Sequence, residues 1–260
     1  AGMTEAGAGT RDEFDAVVAR VGERVRPDRG ERTALDDAVA VLVERASEAI
    51  DDLPVSADVV QVGSTARGTW LAGDRDIDLF VRFPTTLDRA ELEQYGLRVG
   101  YAVLPDGHEE YAEHPYVKGT VDGFDVDLVP CYDVPTASDI ESAVDRTPFH
   151  TAYLESRLDA DLAEEVQVCK QFLKGIGVYG SDLKTRGFSG YLTELLVVAY
   201  GGFREFVEAA AEWRPPVEFD PEDHARATFD DPLVVVDPTD PERNVAAVVS
   251  AENVARVQHH

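Results

Sequence analysis

Apolar residues recur at helical spacing twice near the start of the chain. Phe14, Val17, Val18, Val21 and Val25 form one set; Leu35, Val39, Leu42, Val43, Ala46 and Ile50 form the next. Residues three and four apart share a helix face, so each set predicts an amphipathic helix. Residues 27–30, with Pro27 and Gly30, separate the two, and Thr33 is the expected N-cap of the second. The period then changes. Residues 58–62 read as a strand ending at Gly63-Ser64, and residues 76–83 alternate with period two. Ile77, Leu79, Val81 and Phe83 make one face of that strand; Asp76, Asp78 and Phe80 make the other. Residues 87–99 return to helical spacing, and residues 105–115 read as a loop. Residues 117–121, then Asp122-Gly123, then residues 124–129 predict a hairpin with a two-residue turn.

A different pattern begins at about residue 149. Leu158, Leu162, Val166, Cys169, Leu173 and Ile176 describe a helix stopped by Gly175 and Gly177. Residues 191–200 predict a second helix and 204–213 a third. Beyond Pro215-Pro216 the chain is strand- and loop-like, with a short apolar strand at 233–236 and a further helix opening at 251–257. The predicted division is an α/β domain over residues 1–149 followed by a largely helical one over 150–260. A length of 260 residues with 44% hydrophobic content can bury cores of that size. No apolar run approaches the ~20 residues that cross a bilayer. Residues 1–10 lack the basic and apolar regions of a signal peptide. Cys131 and Cys169 form no paired-cysteine motif, so the expected compartment is a reducing cytoplasm.

Charge complicates the choice of partner. Asp and Glu number 51 against 24 Lys and Arg, a net charge of −27, and lysine occurs only at 118, 170, 174 and 184. Phosphate binding normally draws on a basic surface, which argues against nucleic acid. An acid-rich, lysine-poor surface also suits a very salty cytoplasm, where a Debye length of about 3 Å at 1 M screens repulsion from RNA. The composition therefore points to salt adaptation and leaves the ligand open.

Candidate chemistry concentrates in residues 63–78. Asp76 and Asp78 project from one face of a strand, so both can touch one site, while their apolar neighbours face a core. Paired carboxylates suit Mg²⁺, a hard cation that shares oxygen ligands with substrate phosphates. The hairpin adds Asp125 and Asp127, which share a face opposite Phe124, Val126 and Leu128. Three carboxylates from neighbouring strands could hold two metals ~3.5–4 Å apart. Gly63-Ser64 ends a strand where a helix could begin at residues 65–70, and helix-start N–H groups attract phosphate; Arg67 adds charge one turn on. Singly, an Asp-x-Asp in an acidic chain is a solvated face and a Gly-Ser pair an ordinary turn. In this order and spacing they form a site. Other residues keep two readings. Lys170 and Lys174 share a helix face and could pair with the acids at 161–165. His150 could sit at a helix start, Tyr179 could anchor a loop, and Arg186 could touch RNA or cap an element. Tyr191, Leu195, Leu196, Trp70 and Phe80 read as packing.

These residues resemble the DNA polymerase β-type nucleotidyltransferase superfamily, and more narrowly the class I (archaeal-type) CCA-adding enzymes. The match lies in VGSTARGTWLAGDRDIDLFVRFP, HPYVKG, VDLVPCYDV, SAVDRTPFH, RGFSGYLTELL and VVDPTDPERNVAA, in that order from about residue 60 onward. The resemblance implies an α+β fold, with a polymerase β-like head domain and a largely helical neck or central domain. It implies a tRNA nucleotidyltransferase that adds CCA from CTP and ATP with Mg²⁺ and no nucleic-acid template. It also implies a metal triad of Asp76, Asp78 and Asp127, and triphosphate contacts from Gly63, Ser64, Arg67, Lys170 and Tyr179. Thr147 and His150 would lie near the sugar and triphosphate, and Arg243 in the base-selecting pocket. Family members continue into a C-terminal body and tail that grip tRNA. The partners expected are tRNA, CTP and ATP, with no membrane and a homodimer left open. The alternatives are another nucleotidyltransferase such as a poly(A) polymerase, or a nucleotide-binding fragment without activity.

Overall fold

An aspartate after Pro27 sets the start of the second helix. In the computed structural model, which describes residues 5–260 and side chains from residue 13 onward, Asp28 accepts the Glu31 backbone N–H at 2.8 Å. Glu31 accepts the Asp28 N–H at 3.0 Å, and this capping box satisfies two otherwise orphaned donors. The cap is therefore Asp28 rather than Thr33, and residues 29–30, expected as part of a separator, are helical. Residues 1–4 of the polar N-terminal stretch lie outside the described residues.

The first helices are α1 (Glu5–Val25) and α2 (Arg29–Asp51). They are followed by β1 (Asp58–Val62), the single turn α3 (Gly63–Ala66), β2 (Asp76–Pro84), α4 (Arg89–Val103), β3 (His108–Tyr111), β4 (Pro115–Val121) and β5 (Phe124–Asp133). The sheet order is β1-β2-β5-β4-β3; β2 and β5 run parallel and the other neighbours antiparallel. Asp122 (φ 51°) and Gly123 (φ 81°) are both left-handed, as a two-residue hairpin turn requires. β3 lies in the segment read as a loop. All four of its residues are exposed and none alternates in polarity, so only pairing with β4 makes it a strand.

The two sheet faces differ. Ile77, Leu79, Val126 and Leu128 pack with Leu35, Leu42 and Ala46 of α2 and Leu92 and Val99 of α4 in one core. On the opposite face Phe80, Val129 and Cys131 join Val62 in a small apolar cluster. Asp76, Asp78, Asp125 and Asp127 continue that same face toward the start of the two parallel strands.

The second unit comprises α5 (Thr147–Glu155), α6 (Ala160–Gly175), α7 (Gly190–Tyr200), α8 (Phe203–Ala211), β6 (Val217–Phe219), β7 (Leu233–Asp237), β8 (Asp240–Asn244) and α9 (Ala251–His259). Three strands in the order β6-β7-β8 make it less purely helical than the apolar periodicity implies. Leu154, Val166, Leu173, Leu192, Leu196, Phe206 and Val254 belong to its core. Phe14, Val18 and Val21 of α1 pack on this second core, with Phe14 stacked on Phe203 at 5.9 Å. The chain thus starts in the second unit, crosses to the sheet domain, and returns through α5. The expected boundary at 149/150 falls inside α5, and α1 packs on the core of the second unit. Phe14→Ala should destabilise the second unit by roughly 2 kcal/mol, below the 3–5 for a fully buried Phe because Phe14 is only half-buried. Denaturation followed through Trp213, which packs edge-on against Phe206 at 5.9 Å, reads this directly.

Candidate active site

Parallel pairing brings the carboxylates together. Asp78 lies opposite Asp127 and Asp76 opposite Asp125, so all four leave one face of β2 and β5. Asp78 and Asp127 are half-buried; Asp76 and Asp125 are exposed. Lys118, across the β4–β5 pair, reaches Asp127 at 2.9 Å and is the cation closest to that carboxylate. Burial, then the charges of Asp127 and Asp76, push the Asp78 carboxyl up to about 6, and burial followed by Asp74 and Asp125 raises Asp76. Like charges are gathered there at a cost, the signature of a site meant for a cation. Among the described residues no three His, Cys, Asp or Glu side chains close into a metal cage. An open pair of carboxylates fits Mg²⁺, which keeps positions for water and phosphate, better than it fits a structural zinc site.

Gly63 is required by the same geometry. Its φ is +80°, and a Cβ there would lie 2.3 Å from Asp78 Oδ2. The expected helix at 65–70 is instead the single turn α3, starting at Gly63 with no side-chain cap. Ser64 accepts the Thr69 backbone N–H through its carbonyl at 3.0 Å, which folds residues 64–69 back on themselves.

Arg67 extends from this turn into a buried network. Its Nε donates to Glu194 at 2.6 Å and its NH1 to Thr151 at 3.1 Å. Lys170 Nζ donates to Glu194 Oε1 (2.9 Å), Thr69 O (3.0 Å) and Thr69 Oγ1 (3.2 Å). An ammonium has three donors, and here all three are engaged by Glu194 and Thr69. The partner of Lys170 is therefore not among the acids at 161–165. Burial alone would raise the Glu194 pKa; Lys170 and Arg67 overcome it and hold the group at about 2. Lys174 lies 3.6 Å from Asp74 and 5.4 Å from the Tyr179 ring. The Tyr179 hydroxyl and Lys170 Nζ both flank Gly190, where a Cβ would sit 3.2 Å from the hydroxyl.

A second cluster centres on Asp237, which is fully buried. His150 Nε2 and Arg243 NH1 each lie 2.7 Å from Asp237 Oδ2. His150 stacks on Tyr191 at 3.9 Å, with Thr147 one turn before it on α5. Burial works to raise the Asp237 pKa, but hydrogen bonds from His150 and Thr239 hold it below the carboxylate range. α5 and α7 link the clusters: α5 offers His150 here and Thr151 to Arg67, and α7 offers Tyr191 here and Glu194 there.

Residues 43–150 match the nucleotidyltransferase domain family, and residues 164–260 match tRNA nucleotidyltransferase, second domain. The CCA-adding enzyme of Halorubrum lacusprofundi is 70% identical over 249 residues, 96% of this chain and 54% of that protein. That of Halobacterium salinarum (strain ATCC 29341) is 71% identical over 245 residues, covering 94% and 54%. The chain belongs to the class I CCA-adding enzyme family. It spans about half the length of the curated relatives it matches. A more distant CCA-adding enzyme, from Methanoregula boonei, is 50% identical over 236 residues, 89% of this chain and 50% of that protein. Among solved structures, the Cid1 poly(U) polymerase with MgGTP superposes with a TM-score of 0.70 at 17% identity, covering 95% of this chain and 91% of that one. CdnC of E. coli MS115-1 with ATP gives 0.68 at 18%, covering 93% and 87%. At such identities these likenesses establish the fold alone, that of polymerase β-like nucleotidyltransferases. The halophilic relatives agree with the salt-adapted composition.

For a CCA-adding-family chain, sequence reasoning omitted three anchoring residues: Glu194, Asp237 and Thr151. Glu194 carried a readable signal, a carboxylate amid Leu192, Leu195 and Leu196 on a helix apolar on nearly every side. Asp237 ends an apolar strand and gave less warning. Gly63→Ala should abolish Mg²⁺-dependent nucleotide binding, measured by calorimetry, because its Cβ displaces Asp78. Asp78→Asn should stabilise the metal-free protein at pH 7.5 by on the order of 2 kcal/mol. The sign follows from the raised pKa: the charged carboxylate costs stability above pH 6, and that cost vanishes as pH falls from 6 toward 4. Urea denaturation in EDTA at pH 7.5 and pH 4 separates the two limits.

Proposed function

We propose that this chain adds CCA to the 3′ end of tRNA from CTP and ATP, without a nucleic-acid template, in the cytoplasm. The observation that carries the reading is the parallel register placing Asp78 beside Asp127, next to the uncapped turn at Gly63-Ser64. The 3′-hydroxyl of tRNA attacks the α-phosphate; a new P–O bond forms and pyrophosphate leaves. Asp76, Asp78 and Asp127 would hold Mg²⁺, which would supply Lewis-acid chemistry toward the attacking hydroxyl and the leaving pyrophosphate. Gly63 and Ser64 present backbone donors to the triphosphate, with Arg67 and Tyr179 beside them. Lys170 acts on the same phosphates through Glu194 and Thr69, by fixing Arg67 and the 64–69 turn. Thr147 and His150 lie at the sugar, and Arg243 at the base. Most of the rate then comes from positioning and electrostatics.

Labelled CTP and ATP supplied with Mg²⁺ and high potassium chloride to tRNA lacking CCA should yield two C's and one A, then arrest. Open-ended A addition would assign a poly(A) polymerase-like activity. Binding of CTP without pyrophosphate release would assign a nucleotide-binding module. Asp78→Ala should abolish incorporation with an unchanged circular dichroism spectrum; retained turnover would remove Asp78 from the triad.

A further inference from the structure

The geometry points to Asp237 as a positioning residue that sets the tautomer of His150 and the aim of Arg243, and through them the choice of nucleotide. This inference rests on the proposed reading that those two side chains flank the bound nucleotide. Asp237 is fully buried at the end of β7, and both of its oxygens are in use. Oδ2 accepts from His150 Nε2 and Arg243 NH1 at 2.7 Å each. Oδ1 accepts from Thr239 N at 2.9 Å, Thr239 Oγ1 at 2.8 Å and the Tyr191 hydroxyl at 3.5 Å. Its carbonyl lies 3.0 Å from His224 Nε2. A carboxylate so tied has one orientation, and it imposes that orientation on whatever it binds.

For His150 the consequence is chemical. An ionised carboxylate only accepts, so the imidazole must carry its hydrogen on Nε2. Burial pushes the ring below its ordinary pKa, with Arg243 and Arg146 adding to that and Asp237 opposing it. The ring is therefore neutral at pH 7, and Nδ1 is left as a lone pair. Stacking on Tyr191 at 3.9 Å and 16° fixes the plane in which that lone pair points. A fixed acceptor of this kind suits a ribose hydroxyl.

For Arg243 the consequence is directional. One end of the guanidinium is held by Asp237, while the side chain stays 36% exposed and so within reach of a ligand. A fixed donor reads an acceptor. Cytosine N3 and adenine N1 are acceptors, whereas uracil N3 and guanine N1 carry hydrogens. One aimed donor thus separates C and A from U and G, and a site built for a hydrogen bond strongly rejects the partner lacking it.

The test compares the wild type with Asp237→Asn, which keeps the size and removes the charge. Incorporation of CTP, ATP, UTP and GTP into tRNA lacking CCA gives kcat/KM for each, and ¹⁵N chemical shifts give the His150 tautomer. The expected result is a preference for CTP over UTP reduced at least ~10-fold, with His150 losing its pure Nε2–H form. An equal loss for all four nucleotides, or an unmoved tautomer, overturns the inference. Arg243→Lys is the companion variant: it should lose the preference while His150 keeps its tautomer. A wild type that takes UTP as readily as CTP would sink the proposed function instead, and the tautomer measurement would still decide the role of Asp237.

Discussion

Glu194 is buried completely, yet it is ionised, and the arrangement of the site depends on that charge. A carboxylate out of water needs compensation, and Arg67 and Lys170 supply it from opposite units. Arg67 follows the turn after β1; Lys170 is on α6; Glu194 is on α7. Removing any one would leave an uncompensated buried charge, typically worse by several kcal/mol than the intact set. These ion pairs tie the two units together at Glu194. α7 extends that tie by one turn, because Tyr191 sits against His150 beside it. The Asp237 and Glu194 clusters share a single helix as their common base.

The carboxylate face poses the opposite problem. There the charges are alike, only partly buried and weakly offset by Lys118. Holding Asp78 next to Asp127 costs free energy, and a divalent cation bound between them would offset that cost. Three of the four lysines in this lysine-poor chain neutralise acids in or beside the site: Lys118 at Asp127, Lys170 at Glu194 and Lys174 at Asp74.

How much of this was legible in the sequence depends on how local each feature is. The strand at 76–83, the hairpin at Asp122-Gly123 and the helices α6, α7 and α9 were readable because periodicity and turn chemistry act between near neighbours. The shared face of Asp76 and Asp78 was readable for the same reason. The pairing of Asp78 with Asp127 spans 49 positions; facing direction was visible, but parallel register was not. β3 has no pattern of its own and exists by pairing with β4. Lys170 illustrates the remaining gap: its place near the site came from motif, but its partner, Glu194, is set by how α6 and α7 pack. Thr33 was a plausible cap that lost to Asp28, since Asp28 and Glu31 satisfy each other's backbone.

The packing of α1 on the second core changes how the two units are joined. The sheet domain is inserted into the helical one, with residues 26–28 leading in and α5 leading out. A unit held by two covalent tethers has fewer ways to move than one hung from a single linker: it can rock about the line through both, but it cannot swing free. Any motion of one unit against the other is thereby limited to a hinge with one principal axis. It also follows that the second unit cannot be excised as a continuous stretch of chain without losing the helix that completes it.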